Sequence, residues 1–167
     1  MSTATARTPG KMVPFVLAIL LVLSAIVVAY LAWLVVADKR VQQDQDDALT
    51  AARTGAVAIL SFDPDHVSDQ LAAARKLISG AFAANFDQTA SKFIVPAAQQ
   101  GGLGMKSEVI RAAVAGSPRP DQVDVVLLMK QVSTMKDQPQ PRTDPNQVKV
   151  TMTKSDGHWL ISGMQPL

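Results

Sequence analysis

Hydrophobic and polar positions fall into three regimes along the chain. Residues 13–37 form 25 positions without a charge, interrupted only by Pro14 and Ser24. From 38 onward the apolar positions thin to one stripe: Leu49, Ala52, Ala56, Ile59 and Leu60 recur at helical spacings. Asp44, Asp46 and Asp47 occupy the solvated start of that stripe. No Pro or Gly separates it from the apolar run, so 38–62 reads as a helix continuing from it. Gly55 lies inside the helix and costs it about 1 kcal/mol relative to Ala, unless it is a point of close packing. Ser61-Phe62-Asp63-Pro64 is a break and restart, with Asp63 as N-cap and Pro64 at the first helical position. Val67, Leu71, Ala74 and Ile78 predict a second helix ended at Gly80 by a left-handed residue. Phe82, Phe86, Phe93 and Ile94 predict a third, kinked or ended by Pro96 and stopped by Gly101-Gly102.

The second half changes period. Residues 106–115 are β-branched enough for a strand, and 117–121 read as a turn. Gln122 to Met135 reads as a longer strand whose centre, 125–129, is apolar on both sides, as in a strand buried on both faces. Residues 137–147 carry Pro139, Pro141 and Pro145 and read as a long exposed loop around Asp144. Val148, Val150 and Met152 alternate with polar residues as a half-buried strand does. Ser155-Asp156-Gly157-His158 is a tight hairpin turn, and 159–164 the last strand. Helices first and strands later give an α+β domain, with helices packed on an antiparallel sheet of about four strands. Phe62, Phe82, Phe86 and Phe93 are expected to fill the space over the sheet.

A bilayer core of roughly 30 Å needs about 20 apolar helical residues, so 13–37 is long enough to span it. Tyr30 and Trp33 near its far end suit an interfacial belt. A signal-peptide hydrophobic region is shorter, about 7–15 residues, so a retained anchor is the expectation. Arg7 and Lys11 before the run nearly balance Lys39 and Arg40 after it; Asp38 and the amino terminus tip the topology toward N-terminus inside. The chain then divides into a cytoplasmic tail (1–12), a transmembrane helix (13–37), a helix leading from the membrane (38–62) and an extracytoplasmic α+β domain (63–167).

This division changes how the composition reads. The 167 residues are 48% hydrophobic with a net charge of +2 and a pI near 9.0. Residues 38–167 carry 14 of the 16 bases and all 14 acids, so that part has no net charge. The basic pI belongs to the tail and gives no footprint for nucleic acid. The chain has no cysteine, which excludes disulfides, thiolate metal sites and thiol nucleophiles.

Candidate chemistry is sparse. His66, beside Asp63 and Asp65, has a spacing that can hold a cation loosely, but acids at a helix start are favoured by the helix dipole in any case. His158 can pair with Asp156 as a dyad or simply stand on a surface hairpin. Met105, Met129, Met135, Met152 and Met164 can line an adaptable apolar cavity or fill an ordinary core. Glu108 is the only glutamate. No P-loop, GxGxxG, HExxH or GxSxG pattern occurs, and neither Asn85 nor Asn146 begins a glycosylation sequon. The residues thus assign no catalytic, cofactor-binding or metal site, no cofactor and no enzyme activity.

Several segments together carry a family resemblance: AARTGAVAILSFD at 51–63, AARKLISG at 73–80 with Phe82 following, VPAA at 95–98, and DGHWLISGMQPL at 156–167. In that order and spacing the chain resembles the actinobacterial Mce-associated membrane proteins over essentially its full length. The resemblance implies a cone-shaped, nuclear-transport-factor-2-like domain outside the plasma membrane, similar also to periplasmic domains of type IV secretion assembly factors. It implies an accessory or scaffold subunit of an Mce-type lipid or sterol importer in the mycobacterial cell envelope. The expected partners are the bilayer, Mce permease or Mce subunits, further copies in an oligomer, and lipid if the cone cavity is itself a lipid-binding module. A small enzyme of the same fold is the remaining alternative.

Overall fold

The computed structural model describes residues 12–167; within 12–40 side chains are described at 24, 26–30 and 33, and beyond that everywhere but 139. The expected tail at 1–12 lies outside the described residues save for Met12, as do most side chains of the expected span at 13–37. The backbone there belongs to α1, Met12–Leu60. Among the described residues no helix is long and apolar enough to cross a membrane. The chain divides into two compact units, Met1–Gln42 and Gln43–Leu167.

In the first unit Ile26, Val27, Val28, Tyr30 and Trp33 are exposed. The Tyr30 and Trp33 rings stack with centroids 6.4 Å apart.

The second unit begins with the last five turns of α1. Ala48, Ala52, Gly55, Ala56 and Ile59 form its buried stripe, and the small side chains let the helix approach the sheet closely. Ser61-Phe62 then turns the chain onto the first strand. Phe62 exchanges backbone hydrogen bonds with Met105 at 2.8 and 2.9 Å. The helix start expected at Asp63-Pro64 is instead a turn: Asp63 Oδ1 accepts the Asp65 N–H at 3.0 Å, the Asp63 N–H donates to Gln70 Oε1 at 2.7 Å, and the Asp63 carbonyl accepts the His66 N–H at 3.1 Å, so the N-cap position falls at His66. After the turn, α2 spans Val67–Arg75 and buries Val67, Leu71 and Ala74. It ends earlier than the stripe suggested. Ile78 is buried not on the helix but in a parallel bridge to Ile161. Gly80, at φ 62°, then starts α3, Gly80–Thr89.

From α3 the chain passes through a π-helical turn, Ala90–Ile94, into α4, Val95–Gly101. The turn lies just before Pro96, whose nitrogen cannot donate to the carbonyl four residues back and whose ring crowds it. The extra residue keeps Phe86, Ala90 and Ala98 buried but leaves Phe93 on the outside, 67% exposed. Phe93 is therefore not part of the aromatic filling over the sheet, whereas Phe62 and Phe86 are buried and Phe82 packs partly against the core.

The strands are β1 Gly104–Arg119, β2 Gln122–Met135, β3 Gln138–Ser155 and β4 His158–Pro166. They form one antiparallel meander in chain order. The fold class is thus the α+β arrangement expected. On β2 the residues alternate: Val123, Val125, Leu127 and Met129 are buried, while Val126 and Leu128 are only half-covered. A single face is packed, so the apolar run marks the middle of the sheet rather than burial on both sides. Across from it, Val150, Met152 and Ile161 complete the core. Each such side chain contributes about 1.5–3 kcal/mol relative to exposure.

The expected loop at 137–147 is instead the first half of β3, paired with β2 from Gln138 onward. Its prolines do not break the ladder because of where their nitrogens face. Gln147 offers its carbonyl to Leu167 on the far side from β2. Alternation turns Pro145 to that same side, beyond the reach of the β3–β4 pairing, so no inter-strand bond is lost. Pro141 falls where the β2–β3 register shifts, between Arg142 and Gln138. Asp144 pairs with Arg142 at 2.9 Å on this edge.

Candidate functional site

The groove at the β3–β4 hairpin is built by a two-residue turn. Asp156 and Gly157 both have positive φ, 49° and 81°, the Asp-Gly choice for a turn matching strand twist. That turn fixes the register Ser155↔His158 and Lys154↔Trp159. Lys154 therefore stands opposite Trp159, its Nζ 5.5 Å from the ring centroid. The same ammonium donates to Asp44 Oδ1 of α1 at 2.6 Å, tying helix to hairpin.

Beside this triad lies an open groove of about 460 Å³ between α1 (Asp47, Ala51), the α2–α3 link (Lys76, Leu77) and the hairpin, including His158 and Leu160. The Trp159 Nε1–H is buried and has no acceptor among the described residues. A buried donor left unpaired costs roughly 1–3 kcal/mol.

The residues singled out from sequence are not drawn together. His66 lies 3.6 Å from Asp63, and both side chains are well exposed. His158 is exposed at the hairpin, and among the described residues no hydrogen bond or ion pair joins it to Asp156. No group of three His, Asp or Glu among the described residues is arranged to hold a metal. Met129 and Met152 are fully buried, Met105 and Met164 pack partly against the core, and Met135 is exposed. Four of these five methionines fill the core and its margin.

Lys154, Asp44 and Lys76 are the site residues missed in the sequence. The signal for the first was present: a two-residue Asp-Gly turn dictates that Lys154 faces Trp159. Asp44 lies 110 positions away, and nothing local announces that contact.

A four-stranded antiparallel meander with helices packed against it defines an α+β domain. The chain belongs to the family described as uncharacterized protein Rv1363c/MT1408-like, matching it over residues 11–165. It is 35% identical over 162 residues to the uncharacterized protein Rv1362c of Mycobacterium tuberculosis (strain ATCC 25618 / H37Rv), covering 94% of this chain and 72% of that one. It is 34% identical over 122 residues to the outer membrane protein Rv1973 of the same strain, covering 72% and 74%. Its fold is similar to a periplasmic fragment of TraM, with a TM-score of 0.60, 10% identity and coverage of 73% and 96%. It is also similar to an IcmL-like type IV secretion system protein from Legionella pneumophila, with a TM-score of 0.59, 13% identity and coverage of 71% and 88%.

Proposed function

We propose that this chain is a membrane-anchored, non-catalytic scaffold subunit of the cell envelope, accessory to an Mce-type lipid or sterol importer and acting through protein–protein contacts. The observation that carries the scaffold reading is the fold, shared with a periplasmic fragment and with a secretion-system protein. A relative named as an outer membrane protein supports the envelope address. The anchor reading rests on the uncharged run at 13–37 and on the exposed apolar side chains Ile26, Val27, Val28, Tyr30 and Trp33, which suit lipid better than water. The N-terminus then lies in the cytoplasm and the α+β domain, 63–167, outside. The importer is suggested by the resemblance of 51–63, 73–80 and 156–167 to Mce-associated proteins. The exposed, separate positions of His66 and His158 support a non-catalytic role.

Affinity purification of the tagged chain from its native membranes, in mild detergent, tests the reading. Permease or Mce subunits are expected in the eluate; their absence while the chain itself is recovered intact would overturn the importer assignment. Protease treatment of intact cells tests the topology separately, since an outward domain is cut and an inward one is spared.

A further inference from the structure

The hairpin groove sets apolar side chains beside two lysines, a histidine and a single carboxylate. Ala51, Leu77, Leu160 and the Trp159 ring supply the floor. Lys154 is engaged by Asp44, but Lys76 makes no ion pair among the described residues, and His158 also borders the groove. Asp47 is the one carboxylate in the lining. The volume, about 460 Å³, falls within the range of small-molecule pockets, roughly 300–1,000 Å³. An occupant matched to this lining brings acceptor oxygens to the Lys76 side and carbon to the floor. We propose that the groove binds an anionic amphiphile, its phosphate or carboxylate head at Lys76 and its hydrocarbon laid over Leu77, Leu160 and Trp159. This assignment stands on the groove alone and does not depend on the importer reading.

Trp33→Phe leaves Trp159 as the sole tryptophan of the full chain, a reporter inside the groove. The chain, held in digitonin, is titrated with dodecyl phosphate and with laurate, each below its micellar concentration. A saturable change in Trp159 emission is expected with at least one of them, and its relative strength identifies the head group. Lys76→Gln, at an exposed position, is expected to weaken that binding at least fivefold without changing the unfolding midpoint. Inorganic phosphate binding as tightly would remove the apolar half of the proposal. Dodecyl maltoside binding as tightly would remove the charged half. No saturable response to either anion, or one indifferent to Lys76→Gln, overturns it. Native mass spectrometry of the wild-type chain with dodecyl phosphate gives the same decision should the Trp33→Phe chain not fold.

Discussion

A Cβ placed on Gly55 would lie 2.8 Å from Ile161 Cδ1, so α1 rests on β4 at a point where no side chain fits between them. Ile161 is completely buried and cannot swing aside without disturbing Met152 and its neighbours in the core. Replacing a helical Gly by Ala ordinarily gains about 1 kcal/mol; overpacking a core costs roughly 1–3 kcal/mol. Gly55→Ala is therefore expected to destabilise the chain by about 1 kcal/mol in urea unfolding. Ile161→Val, which shortens the obstructing arm, should reduce that penalty, making the double variant less destabilised than the two single changes added. A stability gain of the full helix-propensity amount from Gly55→Ala alone would show that the contact is loose.

Lys154 joins two weak interactions, the ion pair to Asp44 and the contact with the Trp159 face. Both Lys154 and Asp44 are partly solvated, which limits the pair to about 0.2–1 kcal/mol, and an exposed cation–π contact adds roughly 0.5–1 kcal/mol. Lys154→Ala loses both and Asp44→Asn only the first. The expected order of unfolding midpoints is wild type, then Asp44→Asn, then Lys154→Ala. Raising the salt concentration should close most of the gap between the first two. Equal loss in the two variants would mean that the ring contributes nothing.

Legibility in the sequence followed the range of the forces involved. The helical stripe of α1, the break at 61–64, the span of β2 and the Asp156-Gly157 turn rest on neighbours within a few residues, and each is readable, whereas the N-cap falls at His66 rather than Asp63. Gly55 was already ambiguous between a weak helix position and a packing point, and only Ile161 on a distant strand resolves it. The first half of β3 was hidden because three prolines argue for a loop unless one knows that this stretch has a partner on one side only. Phe93 faces outward although a regular helical count aligns it with Phe86, because such a count does not anticipate the π turn before Pro96. The groove was the least legible feature, since Lys76, Asp47 and Trp159 meet only through the tertiary fold.

The methionines separate two readings of the interior by experiment. If Met129 and Met152 fill a packed core, truncation of either to Ala leaves a void and costs about 2–5 kcal/mol. Met135, 42% exposed, should cost less than about 0.5 kcal/mol when truncated. Denaturation midpoints of the three variants give the answer. Small and similar losses in all three would mean that Met129 and Met152 border empty space.

The two phenylalanines flanking the π turn should behave oppositely. Phe86 is 7% exposed and belongs to the core, so Phe86→Ala is expected to cost about 3–5 kcal/mol. Phe93, pushed outward by the extra residue, should tolerate Phe93→Ser within about 0.5 kcal/mol and bind less of a hydrophobic dye as a result. A large loss on changing Phe93 would mean that the π turn does not persist in solution and that the ring spends its time against the sheet.

Ser107 is the buried polar residue among those described, and its bonds explain why it is tolerated there. Its Oγ donates to the Leu60 carbonyl at 2.7 Å and accepts from Gln131 Nε2 at 3.3 Å, while its N–H donates to Ser61 Oγ at 2.9 Å. The Leu60 carbonyl is one of the orphan acceptors that every helix leaves at its C-terminus, so the hydroxyl closes α1 and fastens it to β1 in one contact. Ser107→Ala keeps the backbone bond but strands that carbonyl, at a cost of about 1–3 kcal/mol. Ser107→Thr retains the hydroxyl and should recover part of the loss, limited by the room for one methyl. Amide hydrogen exchange locates the effect: in Ser107→Ala protection is expected to fall at Phe62 and Met105, whose paired N–H groups sit beside the lost bond, before it falls at Val125 or Leu127 in the centre of the sheet. Uniform loss of protection across the sheet would show instead that the helix end and the strands unfold as one unit.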